Sequence, residues 1–146
     1  AQRLAAATGQ GVRLPTEAEW EYACRAGQAG AGAGPDGVAW YYDNAEGHGP
    51  RHARPVATKA PNPWGLFDMR GNVWEWVADW YAPDFGVAAG ASVAVDPRGP
   101  AHGSHRVKRG GSYLDFAVSV HCGARDGYSE EGRYVNIGAR LAVDRR

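Results

Sequence analysis

The stretch from Val38 to Tyr81, VAWYYDNAEGHGPRHARPVATKAPNPWGLFDMRGNVWEWVADWY, constrains the fold of this 146-residue chain more than any other part. Its apolar pieces are short and bounded by Gly, Pro, Asn and Asp, residues that turn the backbone or interrupt its hydrogen bonding. The pattern predicts short strands joined by long ordered loops rather than helices. Loops of this length need large side chains to hold them, and Trp64, Trp74, Trp76 and Trp80 are at hand. Rings spaced in this way through a loop-rich fold are expected in its core, not as an exposed stacking platform.

One helix is plainly written. In RLPTEAEWEYACRAG, Thr16 and Glu19 form a capping box, with Glu17 and Glu19 in the first turn. Trp20, Ala23 and Cys24 share a face that can pack on a core, leaving Glu17 and Glu21 to water. Gly27 is expected to end the helix. The preceding AQRLAAATGQG reads as the last turns of another helix closing near Gly9. QAGAGAGPDG cannot bury side chains and reads as a flexible loop. RVKRGGSY and NIGARLAV read as strands, with an irregular segment between them, and YAPDFGVAAGASVAVDPRGPAHGSHR is irregular throughout.

Sixteen basic and sixteen acidic residues balance to zero formal charge. With no Lys/Arg-rich run, nucleic acid is not an expected partner. No run of about eighteen apolar residues and no leader-like start occur, so neither membrane insertion nor a signal peptide is expected, and the location stays open. Two cysteines make no disulfide framework, so Cys24 and Cys122 are expected to be buried free thiols rather than partners. His48, His52, His102 and His105 lack the close spacing of a zinc site. The length suits a single domain, residues 1–146.

The blocks RLPTEAEWEYACRAG, PNPWGLFDMRGNVWEWVADWY, RVKRGGSY and NIGARLAV together resemble the signatures of the formylglycine-generating-enzyme, or sulfatase-modifying-factor, family. The resemblance covers most of the chain from Arg13 onward; the first half of a full family domain has no counterpart. It implies an α+β domain of the C-type lectin type, loop-rich, with short strands and few helices. It also implies a structural calcium ion held by the side chains of Asp68 and Glu75 and the carbonyls of Gly71 and Val73. The residues alone favour another reading, in which Asp68 and Glu75 cap turns or pair with Arg70. The triplets by which sugar-binding C-type lectins hold a calcium-bridged hydroxyl pair do not occur.

Oxygen-dependent chemistry in this family resembles copper–thiolate chemistry, with two cysteines shortly after the GGSY strand. Here GGSYLDFAVSVHCGAR offers only Cys122, at a nearby structural position, so copper is not expected and no catalytic residue is assigned. Many bacterial relatives resemble GGSW, an Asn- and Arg-rich stretch, then NNNIGFRL. Where Asn is common in them, this chain has Leu114, Asp115, Phe116, Ser119, His121, Asp126, Gly127, Tyr128, Ser129, Gly132, Tyr134 and Val135.

That combination resembles the variable proteins of diversity-generating retroelements, whose C-terminal segment is rewritten by adenine-directed mutagenesis. Asn codons randomised at their adenines reach fifteen residue types but never Glu, Lys, Gln, Met or Trp, and all twelve positions comply. Chance compliance, from this chain's composition, is about one in five. Glu130 and Glu131 cannot arise in that way and are fixed framework in this reading. The expected function is non-catalytic capture of a protein or other macromolecular ligand on a diversified surface. The alternatives are a formylglycine-generating-enzyme-like oxidoreductase and an inactive scaffold of the same family.

Overall fold

The computed structural model describes residues 11–30, 34–47, 50–84 and 96–144. Helix α1 (Glu17–Arg25) starts where the capping box predicts: the Thr16 hydroxyl accepts from the Glu19 N–H, and the Glu19 carboxylate accepts from the Thr16 N–H. It ends one residue earlier than expected, because Ala26 already adopts the left-handed conformation (φ 47°) before Gly27. Trp20 and Cys24 are buried as the periodicity requires.

Glu17, expected in water, is buried instead. It is the counter-ion of two arginines distant in sequence, Arg125 at 2.7 Å and Arg109 at 3.2 Å. Helical spacing carries no trace of such partners. Arg109 also reaches Glu21, so α1 is clamped to the sheet by charge as well as by the Trp20 ring. Burial pushes the Arg109 guanidinium down from its ordinary range, and the Glu17 and Glu21 carboxylates oppose that shift. The side chain of Glu17 raises that of Arg125.

The sheet under α1 contains β2 (Trp74–Trp80), β3 (Arg106–Arg109), β4 (Arg125–Tyr128) and β5 (Ile137–Ala139), in the order β4-β3-β2-β5. The β2–β3 and β3–β4 pairs are antiparallel, and β5 lies parallel to β2. A separate two-stranded piece pairs β1 (Gly11–Arg13) with β6 (Ala142–Asp144). NIGARLAV is thus two short strands, and RVKR is one, as read. The interval between them is not irregular throughout, however, since it contains β4. An Asp-Gly pair inside a strand hides it from sequence reading, because both residues are poor strand formers.

Alternation along the strands gives the sheet two faces. Toward α1 point Glu75, Val77, Asp79, Val107, Arg109 and Arg125, with Trp20, Met69, Val77 and Val107 in the core. The opposite face carries Trp74, Trp76 and Trp80 on β2, Arg106 and Lys108 on β3, and Asp126 and Tyr128 on β4.

Two expectations fail here. Cys24 and Cys122 are joined in a disulfide, the helix end to the segment before β4, and are not free thiols. Counting cysteines cannot foresee a pairing that depends on α1 lying across the sheet. Of the four tryptophans, Trp74 is buried and Trp76 and Trp80 are half-buried, but Trp64 is 47% exposed and stacks edge-on against exposed Tyr22 at 4.9 Å. The helix read near Gly9 lies outside the described residues, as does His48. Among the described residues no helix is long and apolar enough to cross a membrane.

Candidate ligand-binding face

The segment that holds the twelve singled-out positions begins with a turn. Gly110 (φ 96°) and Gly111 (φ 78°) take left-handed conformations that only glycine adopts without strain. A Cβ on Gly111 would stand 2.7 Å from the Ser119 carbonyl. The Asp115 carboxylate closes the turn, accepting from the Ser112 N–H at 2.9 Å and from its hydroxyl at 2.5 Å. With the backbone fixed in this way, Leu114 and Phe116 project outward. Phe116 rests on Tyr42 at 4.7 Å, and Arg51 covers the Tyr42 ring at 3.7 Å. A single 3-10 turn, Ala117–Ser119, then leads through buried Val120 to exposed His121.

On β4, Asp126 and Tyr128 join the open face of the sheet. The Lys108 ammonium lies 4.3 Å from the Trp74 ring centre, 4.2 Å from that of Tyr128 and 3.2 Å from the Asp126 carboxylate. Tyr134, on the way to β5, packs edge-on against Tyr128 at 4.8 Å and lies 6.4 Å from Trp76. Arg106 stacks over Trp80 at 3.5 Å and pairs with Glu130 at 2.8 Å. Beside Trp76 a groove of about 540 Å³ runs between Val12, Leu14, Arg106 and Glu130.

None of the twelve singled-out positions is buried. Leu114, Phe116, His121, Tyr128, Gly132 and Val135 are exposed; Asp115, Ser119, Asp126, Gly127, Ser129 and Tyr134 are half-buried. Of the residues interleaved with them, Val120 and Ala124 are buried, Ala117, Cys122, Gly123 and Arg125 are half-buried, and Val118, Glu130, Glu131 and Arg133 are exposed; Gly110 to Tyr113, just before them, are buried. Two positions also carry framework duties: Asp115 closes the turn, and Gly127 lies so close to Tyr81 that a Cβ there would be 2.5 Å from the ring. The hydrogen bond from Asn136 to the Ser112 hydroxyl, at 3.3 Å, ties the first turn to the loop before β5.

Sequence reading missed the fixed members of this face: Lys108, Arg106, Trp74, Trp76 and Tyr42. Strand alternation in RVKR would have placed Arg106 and Lys108 opposite the core-facing Val107.

Of the residues named for calcium, Glu75 is not free to hold that ion as arranged. Both oxygens of Glu75 are taken by Arg140, each at 2.8 Å, and one also accepts from the Trp20 indole N–H at 2.7 Å. A divalent cation would have to displace a guanidinium. Asp68, in a left-handed conformation, accepts from the Ala57 N–H through one oxygen, and the other oxygen is buried without a hydrogen-bond partner. Glu75 thus pairs with Arg140, not with Arg70 as the residue-level alternative had it. Among the described residues no three His, Cys, Asp or Glu side chains converge as a metal site. Cys122, the one cysteine near the GGSY strand, is bound in the disulfide.

Residues 1–145 match the family described as "Sulfatase-modifying factor enzyme 1-like domain". This chain belongs to the formylglycine-generating-enzyme, or sulfatase-modifying-factor, family. It is 36% identical to formylglycine-generating enzyme of Bos taurus over 97% of its own length and 41% of that protein. With the Streptomyces coelicolor enzyme it shares 38% identity over 92% of the chain and 47% of the enzyme. The chain therefore spans about half the length of these relatives. Among solved structures it resembles Treponema denticola variable protein 1, with TM-score 0.79 and 39% identity over 90% of this chain and 47% of that one. It also resembles PvdO from Pseudomonas aeruginosa, with TM-score 0.82 and 29% identity over 99% and 57%. The α+β, loop-rich architecture with short strands is the fold of this family.

Proposed function

We propose that this family member is a non-catalytic ligand-binding protein, displaying a diversified C-terminal surface on a rigid C-type lectin-type scaffold, as the variable proteins of diversity-generating retroelements do. The observation that carries the reading is the burial pattern around Leu114 to Val135: none of the twelve positions that deviate from the family's Asn-rich pattern is buried, although Gly127 faces the packed side of the sheet, while Tyr113 just before them and Val120 and Ala124 among them are buried. A surface that changes without unfolding needs this separation. The likeness to a protein named as variable supports it. So does the thiol arrangement, since the chemistry of the family's enzymes calls for free thiolates and both thiols of this chain are oxidised to one disulfide.

The ligand class is a protein or other macromolecule, met by rigid aromatics (Phe116, Tyr128, Tyr134) and small polar side chains in the manner of antibody loops. The gene sequence tests the reading. All twelve codons are expected to end in C or T, with a near-copy of the segment, bearing adenines at those positions, close to the gene. Purine-ending codons at several positions would overturn it.

A further inference from the structure

Lys108 is a fixed residue at the floor of the candidate face, and its side chain is 7% exposed, between Trp74 and Tyr128. An ammonium so desolvated needs an anionic partner or a large contribution from the two rings. Its partner is Asp126, whose side chain is 49% exposed and lies on the solvent side of the pair, 3.2 Å from Nζ. The Asp126 carboxylate therefore occupies the place where an incoming ligand would meet the lysine. Across the same strand pair, Arg106 is neutralised by Glu130, a residue outside the twelve diversified positions. Lys108 is different, because its counter-charge sits at one of the twelve.

We propose that Lys108 is an anion-recognition site of the binding face, and that residue 126 determines whether it is open. The proposal rests on the reading of position 126 as diversified. Under the adenine-directed code, Asp is the only acidic residue that position can acquire, since Glu is excluded, and Asn is the unmutated state. With Asp126 the lysine is internally paired, and this chain's face selects neutral and apolar ligand surfaces. With Asn, Ser or Gly at 126 the ammonium loses its one carboxylate partner among the described residues, and the ligand must supply another. One codon thus divides the repertoire into members that take carboxylate-bearing ligands and members that refuse them, while the ring cage around the lysine stays fixed.

The experiment compares the wild-type chain with Asp126→Asn, using succinate as probe and inorganic phosphate as a second arm, by calorimetric titration in low-salt buffer. The Asp126→Asn protein is expected to bind succinate at least about tenfold more tightly than wild type, the difference one charge-assisted contact makes. Phosphate binding equal to succinate binding would assign the site to oxyanions in general. The chain has only two lysines, so the Lys108 side-chain ε-CH2 resonance can be followed against Lys59 as an internal control; Lys108 alone is expected to shift on titration. Equal affinities in the two proteins, or a shift confined to Lys59, would overturn the proposal. Should Asp126→Asn not fold, Asp126→Ser takes its place. Failure of both to fold would also overturn it, because a residue required for folding cannot serve as a variable gate. The codon test is independent: a locus without a template would fault the diversification reading while leaving a measured Lys108 site intact.

Discussion

At the residue scale, the twelve positions of the face are not equivalent. Gly127 faces α1 rather than solvent, and its Cα lies against the ring of Tyr81, which also supports Arg125 at 4.8 Å. Gly127→Ala forces that ring aside and is expected to cost about 1–3 kcal/mol, the usual range for overpacking. Leu114→Ala and Val135→Ala, on exposed side chains, should stay within about 0.5 kcal/mol of wild type. Urea unfolding of the three variants separates them; equal losses at Gly127 and Val135 would contradict the assignment of Gly127 to the packed side. The twelve were singled out in the sequence because composition deviates there from a family pattern. The special status of Gly127 was not, because it depends on Tyr81, a residue brought to it only by the β3–β4 pairing. Asp115 was hidden for the opposite reason: its bond to Ser112 is local, yet Asn at the same place would bond in the same way, so its role leaves no mark on composition.

Elements are held by charges that periodicity does not reveal. The capping box fixed the start of α1 in advance, and the Trp20 face was equally plain, whereas the burial of Glu17 follows from Arg109 and Arg125 on the sheet. Glu17→Gln leaves two guanidinium groups beside a neutral amide, one of them fully buried Arg109. The expected loss is about 3 kcal/mol, measured by chemical denaturation. Glu19 behaves differently, because it is half-exposed. The Arg13 guanidinium, which bonds both its oxygens, holds its carboxyl at about 2, against an ordinary value of 4.5. A depressed carboxylate adds stability that is complete above the unfolded value and is lost as pH falls through the folded one. The contribution of this pair should therefore fade between about pH 4.5 and about pH 2, and Glu19→Gln should flatten that part of the stability profile. An unchanged acid slope in the variant would count against the Arg13 pair. Screening keeps the amplitude small at an exposed site.

Across the whole molecule, the proposed binding face requires a frame that does not yield when its surface residues change. Much of that frame was legible: the first helix, the RVKR strand and the strand in the tryptophan-rich block lie where the sequence placed them, whereas Trp64 stands outside the core and NIGARLAV divides into two strands. What was not legible is how they are locked. The sheet is short, its strands running from three to seven residues, and α1 is the only helix longer than one turn among the described residues. The Cys24–Cys122 disulfide, closing a separation of 98 residues, joins that helix to the segment just before β4. It removes conformational freedom from the unfolded chain in proportion to the logarithm of the loop it closes, and for a loop near one hundred residues this is worth about 3–5 kcal/mol. The same bond sits at the rim of the binding segment, one residue after His121, so its loss should loosen the turn from Ala117 to Ala124 as well as the fold. Cys24→Ala/Cys122→Ala is expected to lose that much stability in urea unfolding, with a lower midpoint, and added dithiothreitol should bring the wild type to the same midpoint while leaving the double variant unmoved. Amide exchange at Val120 and Ala124, whose N–H groups bond to Ala117 and His121, should quicken in the variant ahead of exchange in β3. A wild-type midpoint indifferent to reductant would show that the ion network of Glu17, Glu21, Arg109 and Arg125 holds the helix on the sheet unaided, and that variation near His121 is tolerated for reasons other than the clamp.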